Sequence, residues 1–342
     1  MQTILTQIAE HRALTREDAA RAMSLMLKGE ASPEQIAAFL LGLRSRGETL
    51  EELIGLTESM RKFAVPVSAP AHAVDIVGTG GDRSGSFNIS TTTALVCSGA
   101  GAVVAKHGNR SVSSKCGSAD VLELLGVKTE LGKEGVEYCL NEAGIGFLFA
   151  PYFHPALKHV MPVRKHLGVR TCFNILGPMC NPAATSRQLI GAFSREVAEA
   201  MAHIFSTLGS ERTICVHADD GLDEVSLSGS TVVFSRLTVD GPIDIQEFHP
   251  KALGINPAPL SAIMGGDAAR NAELLKRVLK GKGGPRRDIV LLNASFALLA
   301  AGEVDRLEDG IQRAAEAIDS GNARLSLERL VDVSQQAPEL NA

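Results

Sequence analysis

The sequence predicts an α/β protein: a small all-helical N-terminal domain over residues 1–68, then a larger domain over residues 74–335 with a mainly parallel central sheet flanked by helices. Three observations predict it. Capped amphipathic helix patterns fill the first sixty-odd residues, short apolar runs alternate with helical stretches beyond Val74, and a glycine-rich loop follows the first of those runs. With 342 residues, 45% hydrophobic and 21% charged, the chain is long enough for about two domains.

Three helix starts carry capping signals: Thr15 with Asp18, Ser32-Pro33-Glu34-Gln35, and Thr49 with Glu52. In each, a hydroxyl and a following acid or amide can satisfy amides that have no partner in the first turn. Ile36, Phe39, Leu40 and Leu43 recur at helical spacing, as do Leu53, Leu56 and Met60, so each helix has an apolar stripe to bury. The pattern breaks between Phe63 and Ala73, at Pro66 and Pro70, which marks the edge of the helical module.

Beyond it, Val74 to Val77, Val103 to Ala105, Gly146 to Phe149, Thr213 to His217 and Thr231 to Phe234 read as strands. Val197 to Leu208 reads as a helix between two of them, and Asp288 to Gly302 and Ile311 to Ile318 as closing helices. Such alternation argues a parallel sheet, whose ligands sit at the carboxyl ends of its strands. Two loops then face one crevice: Gly78 to Asp82, and Lys106 to Ser114.

The first loop, Gly78-Thr79-Gly80-Gly81-Asp82, runs into Phe87-Asn88-Ile89-Ser90-Thr91, where an apolar helix begins, so amides and hydroxyls collect at a helix start. That is a phosphate-binding arrangement. It is neither the dinucleotide fingerprint nor the P-loop, because Arg83 stands at the third glycine position and no G-K-[ST] follows. A tight strand-to-helix turn is the plain alternative; Asp82, which can receive a ligand hydroxyl, and Asn88, Ser90 and Thr91 favour binding. The second loop, Lys106-His107-Gly108-Asn109-Arg110-Ser111-Val112-Ser113-Ser114-Lys115, gathers cations and hydroxyls at a sheet edge, where they would neutralise a polyphosphate. Gly117-Ser118-Ala119-Asp120 opens a further helix beside it. A third cluster, His217-Ala218-Asp219-Asp220-Gly221-Leu222-Asp223-Glu224, is acidic; a solvated turn is its commoner meaning, but beside a polyphosphate site it suits magnesium, with Asp223 and Glu224 preferred over Asp219 and Asp220.

Bulk properties narrow the function classes. A formal net charge of -5 supplies no global attraction to nucleic acid or an anionic membrane. Six scattered cysteines with no C-x-x-C pair argue against a zinc site and a disulfide framework, and fit a reducing cytoplasm. The N-terminus lacks a secretory pattern, and the most apolar run, Ile289 to Ala301, is too short to span a bilayer and contains Asn293.

Taken in order, Gly78 to Asp82, Phe87 to Thr91, Lys106 to Arg110, Gly117 to Asp120, Phe173-Asn174-Ile175-Leu176-Gly177-Pro178 and Asp220-Gly221-Leu222-Asp223-Glu224 closely resemble the anthranilate phosphoribosyltransferase family over nearly the whole chain. The resemblance implies the nucleoside phosphorylase/phosphoribosyltransferase class of fold, with a helical segment near residues 160–185 joining the N-terminal domain, and a homodimer formed through that domain. It implies transfer of phosphoribose from phosphoribosyl pyrophosphate to the amine of anthranilate, in tryptophan synthesis. The phosphoribosyl pyrophosphate would be held by Gly78, Gly81, Asp82, Ser86, Asn88, Ile89, Ser90, Thr91, the loop Lys106, His107, Gly108, Asn109, Arg110, Ser111, Val112, Ser113 and Ser114, and Ser118. Two magnesium ions would sit on Ser90, Asp223 and Glu224. Anthranilate would meet Gly78, Asn109 and Arg164, in a channel lined by His107, His154 and Pro178. Lys106 or Arg110 would stabilise the departing pyrophosphate, and no general base is assigned.

Three positions depart from the family's usual pattern: Cys116 where serine is common, Ala218 where glycine is common, and Tyr152-Phe153, bulkier than the pair usually preceding His154-Pro155. The last pair borders the implied anthranilate entrance. Two other readings remain beside this one. A nucleoside phosphorylase would share the fold and use phosphate as nucleophile, against which the Lys106 to Arg110 loop and the Asp223-Glu224 pair speak. A non-catalytic nucleic-acid-binding relative would need a broad basic surface and a degraded magnesium site.

Overall fold

The computed structural model describes residues 1–82, 84–111 and 116–338. Four helices open the chain: Gln2–Ala9 (α1), Arg16–Leu27 (α2), Pro33–Arg46 (α3) and Leu50–Lys62 (α4). The capping signals at Ser32 and Thr49 close reciprocal capping boxes with Gln35 and Glu52. At Thr15 the hydroxyl accepts from the Asp18 amide, but nothing returns, because Asp18 pairs with Arg21 instead. The first helix carries no capping side chain, which is why its start escapes a reading based on caps.

Seven strands form one sheet in the order β3-β2-β1-β4-β5-β6-β7: Val74–Gly78 (β1), Val104–Gly108 (β2), Ile145–Phe149 (β3), Arg187–Gly191 (β4), Arg212–Ala218 (β5), Thr231–Arg236 (β6) and Asp244–Phe248 (β7). The first five run parallel; β6 and β7 are antiparallel. The five runs read from sequence are β1, β2, β3, β5 and β6. Two strands lie outside that reading. Arg187 and Gln188 dilute the apolar content of β4, and β7 is an exposed edge strand of sequence DIQEF that only its pairing to β6 defines. Strand order reverses between β1 and β4, so the crevice belongs at their carboxyl ends.

Burial alternates along the central strands. Leu189 and Ile214 join one core with the helices Ile89–Gly99 (α5) and Pro285–Ala301, while the neighbouring Ile190 and Cys215 join a second. That second core also takes in α1 to α4, the helix Arg195–Thr207 and residues Val160, Val163, Cys172, Phe173, Ile175 and Leu176, so the 160–180 segment packs with the N-terminal helices. All six cysteines are buried. Among the described residues no helix is long and apolar enough to cross a membrane.

Glu52 ties the helical module together. Fully buried, it accepts from the amides of Leu14 and Thr49, both at 2.8 Å, and pairs with Arg46, itself nearly buried. Removing one member of a buried pair strands the other. Glu52→Ala is therefore expected to lower unfolding free energy by about 3–5 kcal/mol, against a smaller loss for Glu52→Gln, read as a shift of the urea midpoint at unchanged slope.

Candidate active site

At the end of the sheet Gly78 and Gly191 are register partners, the last residues of β1 and β4. Neither tolerates a side chain, for one reason. A Cβ on Gly191 would lie 1.5 Å from the Asp223 carbonyl oxygen, and one on Gly78 would lie 2.5 Å from Asp223 Oδ2. The two glycines let the segment after β5 lie across the strand ends, and the Gly80 amide fixes it by donating to Asp223 Oδ2 at 2.6 Å.

Asp223 and Glu224 are 8% and 9% exposed, and both titrate well above ordinary carboxylates. Burial is the main cause for each. For Asp223, pushed to about 7, the next is the neighbouring Asp82; for Glu224 it is Asp223. The Ser90 amide faces Glu224 from the start of α5. Asp220, in contrast, is a scaffold group: it accepts from the Leu222 amide and the hydroxyls of Ser226 and Ser228.

Lys106, on β2, enters this acidic region from below. It is 3% exposed, donates to the Ile76 carbonyl at 2.6 Å and lies 3.4 Å from Ser90 Oγ. Burial lowers its pKa, opposed by Asp75, Glu224 and Asp223. Gly78, Asp82, Ser90, Lys106, Asp223 and Glu224, assembled from four separate chain segments, therefore meet at one point of the sheet edge.

Magnesium suits these donors. The buried carboxylates of Asp223 and Glu224 crowd each other and Asp82 with one lysine near them, an imbalance that a hard cation relieves. Among the described residues no three His, Cys, Asp or Glu side chains converge on a single ion position. An ion held here would complete its shell with water and substrate oxygens, the usual habit of magnesium.

Around this centre the remaining residues divide. Asn88 heads α5 without capping it; its Oδ1 receives Asn271 Nδ2 at 2.9 Å and the Cys116 thiol at 3.4 Å. The buried Asn271 was not legible as a site residue, because its only signal is an asparagine inside an amphipathic helix, Ala268–Leu279. Ser86 forms an isolated bridge with Met264, and Gly81 holds a positive φ of 73°. Ile89 has its side chain in the core and donates its amide to the Phe87 carbonyl at 2.7 Å. Thr91 is also buried, with a hydroxyl lacking a partner.

Arg110 is engaged within the chain. The sequence points its charge at a ligand; the structure pairs it with Glu123 at 2.6 Å and Glu130 at 3.1 Å, over the Phe149 ring. Asn109 Oδ1 accepts from the Arg110 amide, and Ser118 Oγ donates to the Asn109 carbonyl. Packing explains Gly108, where a Cβ would meet Ser118 Oγ and the Phe147 ring. The Ser111 amide donates to Asp120. Val112, Ser113 and Ser114 lie outside the described residues.

The rings of His107 and His154 are 5.3 Å apart, and each histidine is 5% exposed. Their bonds to the backbone of Gly177 and Cys180 place both against the turn that carries Pro178, and each Nε2 is left buried without a partner among the described residues. Arg164 stacks on Phe173 at 4.9 Å, contacts Met161 Sδ, and has no acidic partner among the described residues. Burial lowers its pKa. Phe153 is buried and Tyr152 donates its hydroxyl to Glu130, so of the bulky pair only Tyr152 reaches the Arg110 network.

Two family models match the chain: a glycosyl transferase family helical bundle domain over residues 2–64, and a glycosyl transferase family a/b domain over residues 70–324. A protein of Salinibacter ruber called anthranilate phosphoribosyltransferase is 52% identical, over 98% of this chain and 99% of its own. The anthranilate phosphoribosyltransferase of Thermus thermophilus superposes with a TM-score of 0.91 at 41% identity, covering 97% of this chain and 99% of that one. That of Saccharomyces cerevisiae, solved in complex with PRPP and Mg, superposes with a TM-score of 0.88 at 30% identity, covering 98% of each.

His154 gives the site a pH signature. Burial lowers its pKa from 6.5 to about 4, so between those values the unfolded chain binds a proton that the folded chain does not. Stability from this residue is present at neutral pH and drains as pH falls through that window, by up to about 1.4 kcal/mol per pH unit. Denaturation of wild type and His154→Gln at pH 7, 6 and 5 is expected to show the stability difference shrinking, then reversing, in favour of the variant as pH falls.

Proposed function

The chain belongs to the anthranilate phosphoribosyltransferase family, and we infer from this that it transfers the phosphoribosyl group of 5-phosphoribosyl 1-pyrophosphate to the amine of anthranilate. The products are N-(5-phosphoribosyl)anthranilate and pyrophosphate, in tryptophan biosynthesis. The observation that carries this reading is the meeting of the glycine loop, Lys106 and the Asp223-Glu224 pair at the strand ends where β1 and β4 diverge in order.

The reaction breaks the bond between ribose C1 and the pyrophosphate oxygen, and forms one from C1 to the anthranilate nitrogen with inversion. Positive charge builds on the ribose and negative charge on the departing oxygen. Lys106, buried and held at Ile76, is positioned to meet that negative charge, a role Arg110 could take only by leaving Glu123 and Glu130. Ser90, Asp223 and Glu224 are the proposed seats of two magnesium ions, which when bound supply further positive charge to the pyrophosphate. Amides and hydroxyls of Gly78 to Ser86 and the start of α5 would hold the phosphoribosyl group. The attacking aromatic amine is weakly basic and sheds its proton after attack, so positioning supplies most of the rate and no strong base is assigned.

Arg164 is the proposed anchor for the anthranilate carboxylate, since its guanidinium is a partly buried cation with no acid paired to it among the described residues. Asn109, the Gly78 carbonyl, Pro178 and the unpartnered Nε2 atoms of His107 and His154 would complete that side. Residues 1–68 and 74–335 are the proposed domains, with the 160–185 segment joining the first. A cytoplasmic homodimer through the helical domain is proposed too, and exposed Leu41 and Leu50 on that domain are compatible with it.

Mixing the protein with anthranilate, phosphoribosyl pyrophosphate and magnesium is expected to quench anthranilate fluorescence with release of pyrophosphate, and a chelator to stop it. Binding of phosphoribosyl pyrophosphate without turnover would remove anthranilate as the acceptor. Arg164→Ala is expected to raise KM for anthranilate about tenfold or more, a loss of about 1.4 kcal/mol of binding, and to leave KM for phosphoribosyl pyrophosphate nearly unchanged. Equal effects on both would sink the assignment.

A further inference from the structure

The pairing of β1 with β2 stops after one register position, Val74 with Val104, although β1 pairs with β4, and β2 with β3, to their ends. In a regular parallel ladder the next two bonds would run from the Ile76 amide to the Ala105 carbonyl and from the His107 amide to the Ile76 carbonyl. Neither is made. The Ala105 carbonyl receives Asn181 Nδ2 at 2.8 Å, the His107 amide donates to Asp75 Oδ1 at 3.2 Å, and the Ile76 carbonyl receives Lys106 Nζ at 2.6 Å. The Ile76 amide faces the Asp75 carboxylate. Every backbone group released by the missing rungs is thus taken by a buried side chain.

Stability does not account for this arrangement. An unbroken ladder would satisfy the same four groups without burying a carboxylate, whereas Asp75, 1% exposed, needs the Lys106 ammonium, the Asn181 side chain and the amides of His107 and Ile76 around it, and burial still pushes its pKa up to about 6. What the substitution achieves is geometric: it parts β1 from β2 at the ends where the Gly78 to Asp82 and Lys106 to Arg110 loops emerge. It also fixes Lys106 Nζ in the gap. Asn181 is held in turn, its Oδ1 receiving the Ala183 amide at 2.8 Å.

We propose that Asp75 and Asn181 are positioning residues, a polar wedge that replaces two ladder rungs and sets the spacing of the two loops across the crevice. They act through Lys106, His107 and the strand ends. Asp75 also carries the largest charge opposing the burial of Lys106, so an amide of the same shape keeps the acceptor but gives up that support.

The test compares Asp75→Ala, Asp75→Asn and Asn181→Ala with wild type in two measurements. In steady-state kinetics, which depends on the transferase reading above, the two alanine variants are expected to lose about 10–100-fold in kcat while both KM values stay within about threefold, and Asp75→Asn, which keeps the acceptor but not the charge beside Lys106, to lose clearly less than Asp75→Ala. In amide hydrogen exchange, independent of that reading, the alanine variants are expected to exchange faster at residues 75–78 and 105–108, with the rest of the sheet unchanged. Alanine variants that melt lower but keep wild-type kcat when folded would overturn the proposal, as would exchange unchanged at those residues. Asp75→Asn as slow as Asp75→Ala would overturn the acceptor geometry as the cause. A wild-type protein that does not turn over would sink the transferase reading alone, and exchange would still decide the wedge.

Discussion

Everything at the strand ends depends on the close approach of Asp223 to the paired glycines Gly78 and Gly191. The Asp223 carbonyl occupies the space that a Gly191 side chain would need, and its carboxylate lies against Gly78. Only there can the acidic segment cross the two central strands and reach the glycine loop, where the Gly80 amide receives it. A methyl group at either position would lift that segment off the sheet and separate the carboxylates from Lys106.

The electrostatics follow from that contact. Asp223 and Glu224 are forced together in a buried place beside Asp82; burial penalises the charged form of both, and repulsion from each other and from Asp82 adds to the cost. Lys106 offsets part of it, and is itself held by a backbone carbonyl and the field of Asp75. A site left with more negative than positive charge in the absence of ligand is built to receive cations and the anion they accompany.

Much of this was legible in the chain. The five apolar runs, the capped helices at Ser32 and Thr49, and the glycine, lysine and acidic motifs all depend on local chemistry, and local chemistry is written in adjacent residues. The strand β7 and the helix α1 were hidden for the opposite reason: each is defined by its neighbour, β7 by pairing with β6 and α1 by packing against α3. Arg110 is the instructive case. Its place in a basic loop suggests a free cation, but Glu123 and Glu130, 13 and 20 residues away, claim it.

By itself, then, the sequence determined the α/β class, the helical start and the residue types that can hold a phosphorylated sugar, because periodicity, caps and glycine turns are short-range properties. Tertiary structure alone decided which of those residues meet. Asp75 reaches the His107 amide across 32 residues, Asn181 the Ala105 carbonyl across 76, and Asp223 the Gly80 amide across 143. Such contacts are set by strand order and by where backbone groups are left unpaired, and no pattern of neighbouring residues encodes either.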